Sequence, residues 1–451
     1  MNDLDSRIDR HKGQLEKIRE RVETQFQSFV RLESSGGIVL LGCAIIALIW
    51  ANSPWGDTYY HLWKTKLAFK FGTFEMSHPL YHWINDGLMA LFFFLVGLEI
   101  KREVLVGELN TVRKAMLPIF AAVGGMLLPA LIYAFANRGT EFMDGWGIPM
   151  ATDIAFALAI MAMLGKRVPL ALKVFLTAVA IVDDLGAVLV IAFFYSGNLA
   201  VNMLLAAAGG LALAFIFNAA GVKRPLPYAI VGLVVWYFVH ESGIHATIAG
   251  VLVAMAIPAG SSMRLNEFIE RCRRLLTRME QDTPHDSHHG NDYVVSIENA
   301  CTDVEPPLLR MEHALQPWIA YLIMPLFALA NAGVVLSGDA LSSLGHTVAI
   351  GIGGGLLVGK LIGVASFTWL AVRLGVAELP QNVGWKQIGG VAMLCGVGFT
   401  MSLFIANLAF KDEALLATAK MGILCASLVA GVAGYLLLAR TGQTAEQRAA
   451  A

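Results

Sequence analysis

The main feature of the sequence is a series of long apolar runs separated by short polar connections. Twelve runs approach or reach the roughly 17–25 residues that a helix needs to cross the hydrocarbon core of a bilayer. They are 35–52, 84–100, 115–136, 147–164, 170–196, 200–218, 226–240, 243–258, 315–336, 346–372, 387–409 and 414–439. This pattern predicts an all-α polytopic membrane protein with about twelve transmembrane helices.

Composition supports this interpretation and excludes several other classes of protein. Hydrophobic residues make up 57% of the chain and charged residues only 15%, against roughly 25% in soluble domains. Residues 1–33 hold 14 of the 67 charged side chains and residues 259–313 hold 16, which leaves 37 for the other 363 residues. Such a body is neither a soluble enzyme nor a disordered chain. The net charge of −1 gives no basic field for nucleic acid, and five cysteines argue against a disulfide framework.

The distribution of lysine and arginine predicts the orientation in the membrane. An even number of spans places both termini on one side, and most basic residues follow the second, fourth, sixth, eighth and tenth runs. Since cytoplasmic loops are enriched in such residues, we expect both termini inside. Arg138 is an isolated basic residue on the opposite side, and residues 55–80, with three lysines, are the main departure from the rule.

Two polar segments near the N-terminus have their own patterns. Residues 1–33 repeat apolar positions at helical spacing between charges, which predicts an amphipathic helix on the cytoplasmic membrane surface. A short coiled-coil contact is the alternative. Residues 55–80 alternate in part around Gly72, which indicates either an external β-hairpin or a plain loop.

Residues 259–313 and 441–451 are predicted to be cytoplasmic. The first segment is a long polar loop that opens with a basic helical stretch, and a flexible loop is the expected state. Its cysteines and histidines raise the alternative of a zinc site, although no CxxC spacing occurs. These residues are Cys272, His285, His288, His289 and Cys301.

An aspartate pair near the middle of an apolar run is the strongest sign of chemistry. Asp183 and Asp184 lie near the midpoint of 170–196, where neither side chain easily reaches water. Charged groups in a bilayer are expensive, so we interpret this pair as functional. Two carboxylates this close cannot both ionise cheaply, and their titration belongs to the pair. The alternative is a helix end that faces water.

Lys360 lies near the centre of 346–372, and a buried ammonium requires a partner. Asp183 or Asp184 is the natural candidate. A purely structural ion pair is the alternative to a functional one.

Two runs are interrupted by glycine, proline and hydroxyl residues. Residues 147–164 contain Thr152 and Asp153, and 387–409 contain the stretch Cys395–Ser402. Such interruptions favour broken helices whose free backbone groups face a cavity, and paired interruptions point to a transporter binding site. Ordinary close packing through small residues is the alternative for each run.

A cavity with two carboxylates and one ammonium suggests a mechanism. A small cation such as Na⁺ or Li⁺ and the proton satisfy the same carboxylates, so they compete for one site. A protein that opens this site to each side in turn would be an antiporter, not an enzyme, and would need no cofactor. This hypothesis requires that cation and proton never move independently.

Seven stretches of the sequence resemble the NhaA family of bacterial Na⁺/H⁺ antiporters, in the family's order and across roughly residues 30–440. They are Trp83–Ala90, Val96–Glu103, Ala151–Leu158, Val182–Ala187, Ser242–Thr247, Gly359–Lys360 and Cys395–Ser402. The resemblance implies inverted-topology repeats and two broken helices that cross at mid-membrane. It also implies electrogenic exchange in the bacterial inner membrane, and a homodimer formed partly through an external hairpin, here 67–75.

The resemblance also implies roles for single residues. Asp184 matches the central Na⁺ and proton carboxylate, and Asp183 its partner, alternately paired with Lys360. Thr152 and Asp153 match the interrupted fourth helix, where Asp153 helps to balance charge between crossing helix ends. Positions associated with the response to pH are Glu99, Glu103, His245, Glu312 and His313. The chain departs from the family in its longer loop before Glu312 and in Gln316, where some members have histidine.

Other functional classes fit the residues less well. An intramembrane aspartyl protease needs its two carboxylates in Tyr-Asp and Gly-x-Gly-Asp motifs on different helices, and neither motif occurs. A cation channel would be poorly served by Lys360. A homologue that moves K⁺ or acts mainly as a pH sensor remains an open alternative.

Overall fold

The computed structural model describes residues 32–441 apart from 72–73, 108, 198, 262, 282–286, 337–341 and 382. The predicted amphipathic helix over 1–33 and the tail 441–451 therefore lie almost wholly outside the described residues. The described chain is helical except for one two-stranded sheet and its connections. The chain is therefore a helical protein, as the apolar runs predict.

Nine helices in the described part of the chain are long and apolar enough to cross a membrane. They are Leu32–Ala51, Leu80–Leu105, Val112–Ala136, Met143–Met163, Leu170–Phe194, Val201–Ala219, Pro307–Asn331, Thr347–Arg373 and Glu413–Thr441. A tenth span is the bent pair Trp385–Leu394 and Phe399–Ala409. These helices make the chain a multi-pass membrane protein.

The other predicted runs form shorter helices. Residues 226–240 and 243–258 fall on Pro225–Glu241 and Thr247–Ala256, of 17 and 10 residues. Short helices also connect the spans: Gly56–Lys64, Gly165–Arg167 and Ser343–Gly345. The total of twelve spans and the inverted repeats remain predictions.

Three of the spans contain a short π-helical segment. These segments are Trp83–Leu88, Ile319–Ile323 and Gly355–Gly359. A π segment inserts one extra residue per turn and often marks a functional site in a helix. The first contains Asp86, and the third ends directly before Lys360.

The chain divides into two compact units. The first contains Met1–Ile84, Val112–Ala187 and Ala320–Ala451, and the second contains Asn85–Thr111 and Val188–Ile319. In the first unit, Val112–Ala136 packs closely against the span Thr347–Arg373. Gly124 and Gly363 meet there with no room for a side chain on either, so glycine brings the two backbones together.

The second unit is packed around the helix Met89–Leu105. A methyl group on Gly97 would lie 2.7 Å from the Ala254 side chain, so the helices Met89–Leu105 and Thr247–Ala256 also meet through glycine. Leu98, Val235 and Ala254 form part of the apolar core of this unit.

Residues 66–79, for which the sequence left a hairpin and a loop open, form two paired strands. Lys66–Phe71 and Phe74–Pro79 run antiparallel, with Lys66 opposite Pro79 and Phe71 opposite Phe74. The alternating side chains of 67–71 fit this pairing. The external position of the hairpin remains a prediction.

The segment 259–313, expected to be mostly a flexible loop, contains the helices Leu265–Gln281 and Ser287–Val304. Each helix has one less exposed face, with Phe268 and Leu275 on the first and Ala300, fully buried, on the second. Packing of these faces and an Arg271–Asp303 ion pair at 3.7 Å explain why the segment folds. Cys272 and Cys301 are free cysteines, and His285 lies outside the described residues.

Candidate functional site

The aspartate pair lies in the helix Leu170–Phe194 and is almost completely buried. Asp183 is 1% exposed and Asp184 is 3% exposed. The Lys360 ammonium, itself 1% exposed, lies 2.8 Å from Asp183 Oδ2 and donates a hydrogen bond to it. The structure therefore places Lys360 with Asp183, one of the two partners that the sequence allowed.

Glycines next to Lys360 bring its helix close to Val112–Ala136. A methyl group on Gly125 would lie only 2.9 Å from the Val364 side chain, while its distances of 3.7 Å to Lys360 Cδ and 3.8 Å to Lys360 Nζ are ordinary van der Waals contacts. A methyl group on Gly359, one residue before the lysine, would lie 2.7 Å from Pro129 Cα. These small residues let the two helices pack closely beside the lysine.

Asp184 differs from its neighbour because it has no hydrogen-bond partner within the described part of the chain. Its Oδ1 is buried and unsatisfied, as is Oδ1 of Asp183. Asp184 is also within electrostatic range of Asp153, Asp183 and Lys360. A buried acceptor without a partner is costly, so these oxygens form a site that a cation or a proton would stabilise.

The two runs predicted to be broken are both interrupted in the structure. The 3₁₀ helix Met143–Met150 ends in the extended residues 151–153, and an α-helix resumes at Ile154–Met163. The helices Trp385–Leu394 and Phe399–Ala409 are bent by 45° at the intervening residues. Both interruptions belong to the first unit.

The two interruptions contact each other through backbone and side-chain hydrogen bonds. Asp153 N donates to Val397 O at 2.7 Å, and Thr152 Oγ1 donates to Cys395 O at 2.9 Å. Ser402 Oγ donates to Ile148 O at 2.8 Å. Each broken helix therefore satisfies backbone groups that the other leaves free.

Asp153 is held much more firmly than Asp184. Its Oδ1 accepts a hydrogen bond from Phe156 N at 3.0 Å, which caps the helix Ile154–Met163. Its Oδ2 accepts from Thr400 N at 3.1 Å and also from the Thr400 hydroxyl. Asp153 thus joins the N-terminus of one half-helix to the N-terminus of another, where a negative charge is favourable.

The residues implied in the pH response all lie in the second unit, and three charged groups meet there. Arg102 Nη2 lies 3.0 Å from Glu103 Oε1, and Arg102 Nε lies 3.2 Å from Glu312 Oε1. Glu312 is buried, and its Oε2 has no hydrogen bond among the described residues. Gln316, one turn further along, is also buried. Glu103 and Glu312 therefore share one arginine.

The other pH-response residues have separate neighbours. His313 Nδ1 lies 3.2 Å from Glu305 Oε1 on a largely exposed surface. His245 Nε2 lies 3.5 Å from Asp86 Oδ1, and its Nδ1 is 2.7 Å from the Thr247 hydroxyl.

Glu99 is buried in the helix Met89–Leu105 and has a partner of its own. The structure therefore joins Glu103 and Glu312 through Arg102. It places His245 beside Asp86 and His313 beside Glu305.

Three residues of these clusters were not assigned a role from the sequence. Thr400 lies inside the quoted stretch Cys395–Ser402, and its hydroxyl next to a break was the available signal. Arg102 lies inside the matching stretch Val96–Glu103 and directly precedes Glu103, which was the available signal. Asp86 lies inside Trp83–Ala90, but its partner His245 lies 159 positions later and no local pattern connects them.

Comparison with known proteins gives a consistent picture. Residues 27–438 match the family model described as Na⁺/H⁺ antiporter 1. A Na⁺/H⁺ antiporter NhaA of Oleidesulfovibrio alaskensis is 52% identical over 422 residues, which cover 92% of this chain and 93% of that protein. An NhaA protein of Koribacter versatilis is 49% identical, over 92% and 91% of the two chains, and an NhaA 2 protein of Syntrophotalea carbinolica is 48% identical, over 92% and 96%.

Proposed function

Because the chain belongs to the NhaA family of Na⁺/H⁺ antiporters, we propose that it exports Na⁺ or Li⁺ in exchange for protons by alternating access. Cation and proton compete for the Asp183–Asp184 pair. The observation that carries this proposal is the burial of Asp184 without a hydrogen bond, beside an aspartate that is already paired with Lys360.

The proton-loaded state follows from the charges in the site. With Asp184 protonated, the ionised Asp183 and the Lys360 ammonium balance each other, and no uncompensated charge remains in the low-dielectric interior. Na⁺ binding draws both carboxylates to the cation. Asp184 then gives up its proton, and Lys360, which loses its counter-ion, gives up another. Two protons leave for each Na⁺ that binds, so the exchange is electrogenic.

The broken helices supply the moving part. Asp153 and Thr152 hold the two interruptions together through hydrogen bonds to Thr400 and Cys395. Half-helices that meet at their ends can tilt while these contacts persist, because their backbones are not continuous. The tilting exposes the aspartate pair to one side of the membrane and then to the other.

The charged groups of the second unit regulate this exchange. Glu103 and Glu312 compete for Arg102, and His245 and His313 each lie beside an acid, with buried Glu99 in the same unit. Protonation changes such pairings in the physiological range when histidine takes part. The exchange is therefore expected to depend on pH beyond simple competition at the site.

The setting of the protein completes the proposal. The chain resides in the bacterial inner membrane with both termini in the cytoplasm, and functions in pH and sodium homeostasis. The strands Lys66–Phe71 and Phe74–Pro79 leave free backbone edges that a second copy can pair with, which supports a homodimer through residues 67–75.

Exchange in inverted vesicles tests the function. Vesicles with the full-length protein and an imposed proton gradient receive Na⁺, Li⁺ or K⁺ across a range of pH, with and without a potassium–valinomycin clamp. Na⁺ and Li⁺ are expected to dissipate the proton gradient and K⁺ is not. Under the clamp the rate should rise, since electrogenic transport is no longer opposed. Dissipation by K⁺ alone would overturn the proposal.

A further inference from the structure

A groove lies between the helices Val112–Ala136 and Thr347–Gly354 of the first unit, beside Met143. Its volume is about 660 Å³, within the range of roughly 300–1,000 Å³ in which proteins hold small molecules. The walls are apolar apart from Arg138 at one end. They include Leu128, Leu131, Ile132, Phe135 and Ile350.

The shape of the groove fits a hydrocarbon chain. Gly354 lies in its wall, and a methyl group there would lie 3.3 Å from the Ile132 side chain, so a larger residue would narrow the space. Phe135 is 81% exposed and Ile350 is 54% exposed, on helices that span the membrane. Side chains of this kind in a span face lipid, so the groove is open to acyl chains.

Two charged side chains of opposite sign lie at or next to the groove: Arg138 lines it, and Glu141 follows three residues later along the chain. Arg138 lies two residues beyond the end of the helix Val112–Ala136, and Glu141 lies in the turn that joins Arg138 to Met143. Neither makes a hydrogen bond or an ion pair with any residue of the described chain, and both are exposed. Asp144, in the following helix Met143–Met150, does have an interaction partner. Arg138 is also one of the basic residues that depart from the orientation rule.

We propose that this groove is a binding site for one phospholipid of the zwitterionic ethanolamine type. One acyl chain lies in the apolar groove, the lipid phosphate accepts hydrogen bonds from the Arg138 guanidinium, and the lipid ammonium pairs with Glu141. A guanidinium suits a phosphate because it can donate two parallel hydrogen bonds. An anionic headgroup without an ammonium would leave Glu141 opposed to a like charge, so the pair selects the zwitterionic lipid.

The lipid groove is separate from the aspartate pair, but the same two helices form part of both sites. The groove lies between the same two helices that meet through Gly125 and Gly359 beside Lys360. A bound lipid would therefore join these helices at their ends and stabilise the folded protein, with the exchange site itself unaltered.

Native mass spectrometry of the purified full-length protein, titrated with phosphatidylethanolamine or phosphatidylglycerol, tests the proposal. Arg138→Gln is expected to weaken the first phosphatidylethanolamine about ten-fold, the effect of losing charge-assisted hydrogen bonds. Glu141→Gln should remove the preference for phosphatidylethanolamine over phosphatidylglycerol. Ala134→Leu should weaken both lipids, because Ala134 lines the groove and a leucine would fill it.

Matched controls separate this site from general lipid contact. Arg440→Gln changes an exposed arginine at the end of Glu413–Thr441, and Ala208→Leu enlarges an exposed alanine on Val201–Ala219. Neither should alter binding of the first lipid. Equal weakening by Arg138→Gln and Arg440→Gln would overturn the site. Equal binding of the two lipids to the native protein would overturn the assignment to the ethanolamine type.

Discussion

The first unit buries the charged groups of the candidate site, Asp153, Asp183, Asp184 and Lys360, whereas the charges of the second unit form separate pairs, two of them through Arg102. In the first unit one ammonium serves an aspartate pair, and Asp184 has no hydrogen bond among the described residues. In the second unit each titratable group has a neighbour of complementary charge. Glu103 and Glu312 lie beside Arg102, and His245 and His313 lie beside acids that would balance their charge when the histidines are protonated.

This difference shows two functions for charged groups whose burial costs free energy. A buried acceptor without a partner lowers stability, and a protein retains one where an exchanged ion supplies the missing contact. Charges that already have partners stabilise the fold, and they change their pairing when protons bind. A carboxylate without a partner suits the binding of a transported ion, and paired charges suit regulation by pH. The predictions below test this contrast from the largest expected effect to the smallest.

Asp184→Asn is expected to abolish Na⁺-driven pH change in inverted vesicles, because the amide can neither release a proton nor neutralise Na⁺. The protein should still fold, since no hydrogen bond to Asp184 is lost. Asp183→Asn should impair exchange strongly. Asp57→Asn, at an exposed acid of the helix Gly56–Lys64, serves as the control and should leave exchange intact. Exchange by the Asp184 variant would refute the assignment.

Lys360→Met should destabilise the protein by about 3–5 kcal/mol, because Asp183 is left as an uncompensated buried charge. Thermal unfolding in detergent measures this loss. The double variant Asp183→Asn with Lys360→Met removes both charges and should recover most of the stability. Additive losses in the double variant would show that the two residues do not form an energetically coupled pair.

Thr400→Val removes the hydroxyl that donates a hydrogen bond to Asp153 Oδ2, so this buried carboxylate oxygen has one donor fewer. A loss of about 1–3 kcal/mol in unfolding free energy is expected, together with slower exchange. Thr400→Ser keeps the hydroxyl and should behave like the native protein. If valine and serine had equal effects, the contact between the two broken helices would not depend on this hydrogen bond.

Arg102→Gln should leave the maximal rate of exchange nearly unchanged while it shifts the pH profile. Glu312 then loses the positive charge that favours its carboxylate form, so the profile should move to more alkaline pH. Arg102→Lys, which keeps the charge, should restore much of the native profile. An unchanged profile in the glutamine variant would place pH regulation elsewhere.

Excision of residues 265–302, with a short glycine–serine linker in their place, should leave basal exchange intact. The ends of the segment are already adjacent, because Met263 N donates to Asp303 O at 3.0 Å and Leu308 N donates to Pro258 O at 3.2 Å. The pH profile is the measurement of interest. Loss of exchange itself would mean that the site extends beyond the first unit.

The sequence by itself determined much about this protein. Long apolar runs require helices because a bilayer satisfies no backbone groups, and a charge in such a run is too costly to be incidental. The runs therefore predicted the helical membrane protein, and the charges within them singled out Asp183, Asp184 and Lys360. The seven matching stretches predicted the family, and the comparisons confirm it.

Only the tertiary structure decided which charges are neighbours. Lys360 pairs with Asp183 across 177 positions, and Asp153 meets Thr400 across 247. Periodicity reports which face of a helix a residue occupies, but contacts between distant helices depend on where glycines such as Gly124 and Gly363 let two backbones approach. For the same reason the basic helical stretch at the start of 259–313 was expected, but the second helix, Ser287–Val304, was not, since its buried face is defined only by packing on the first.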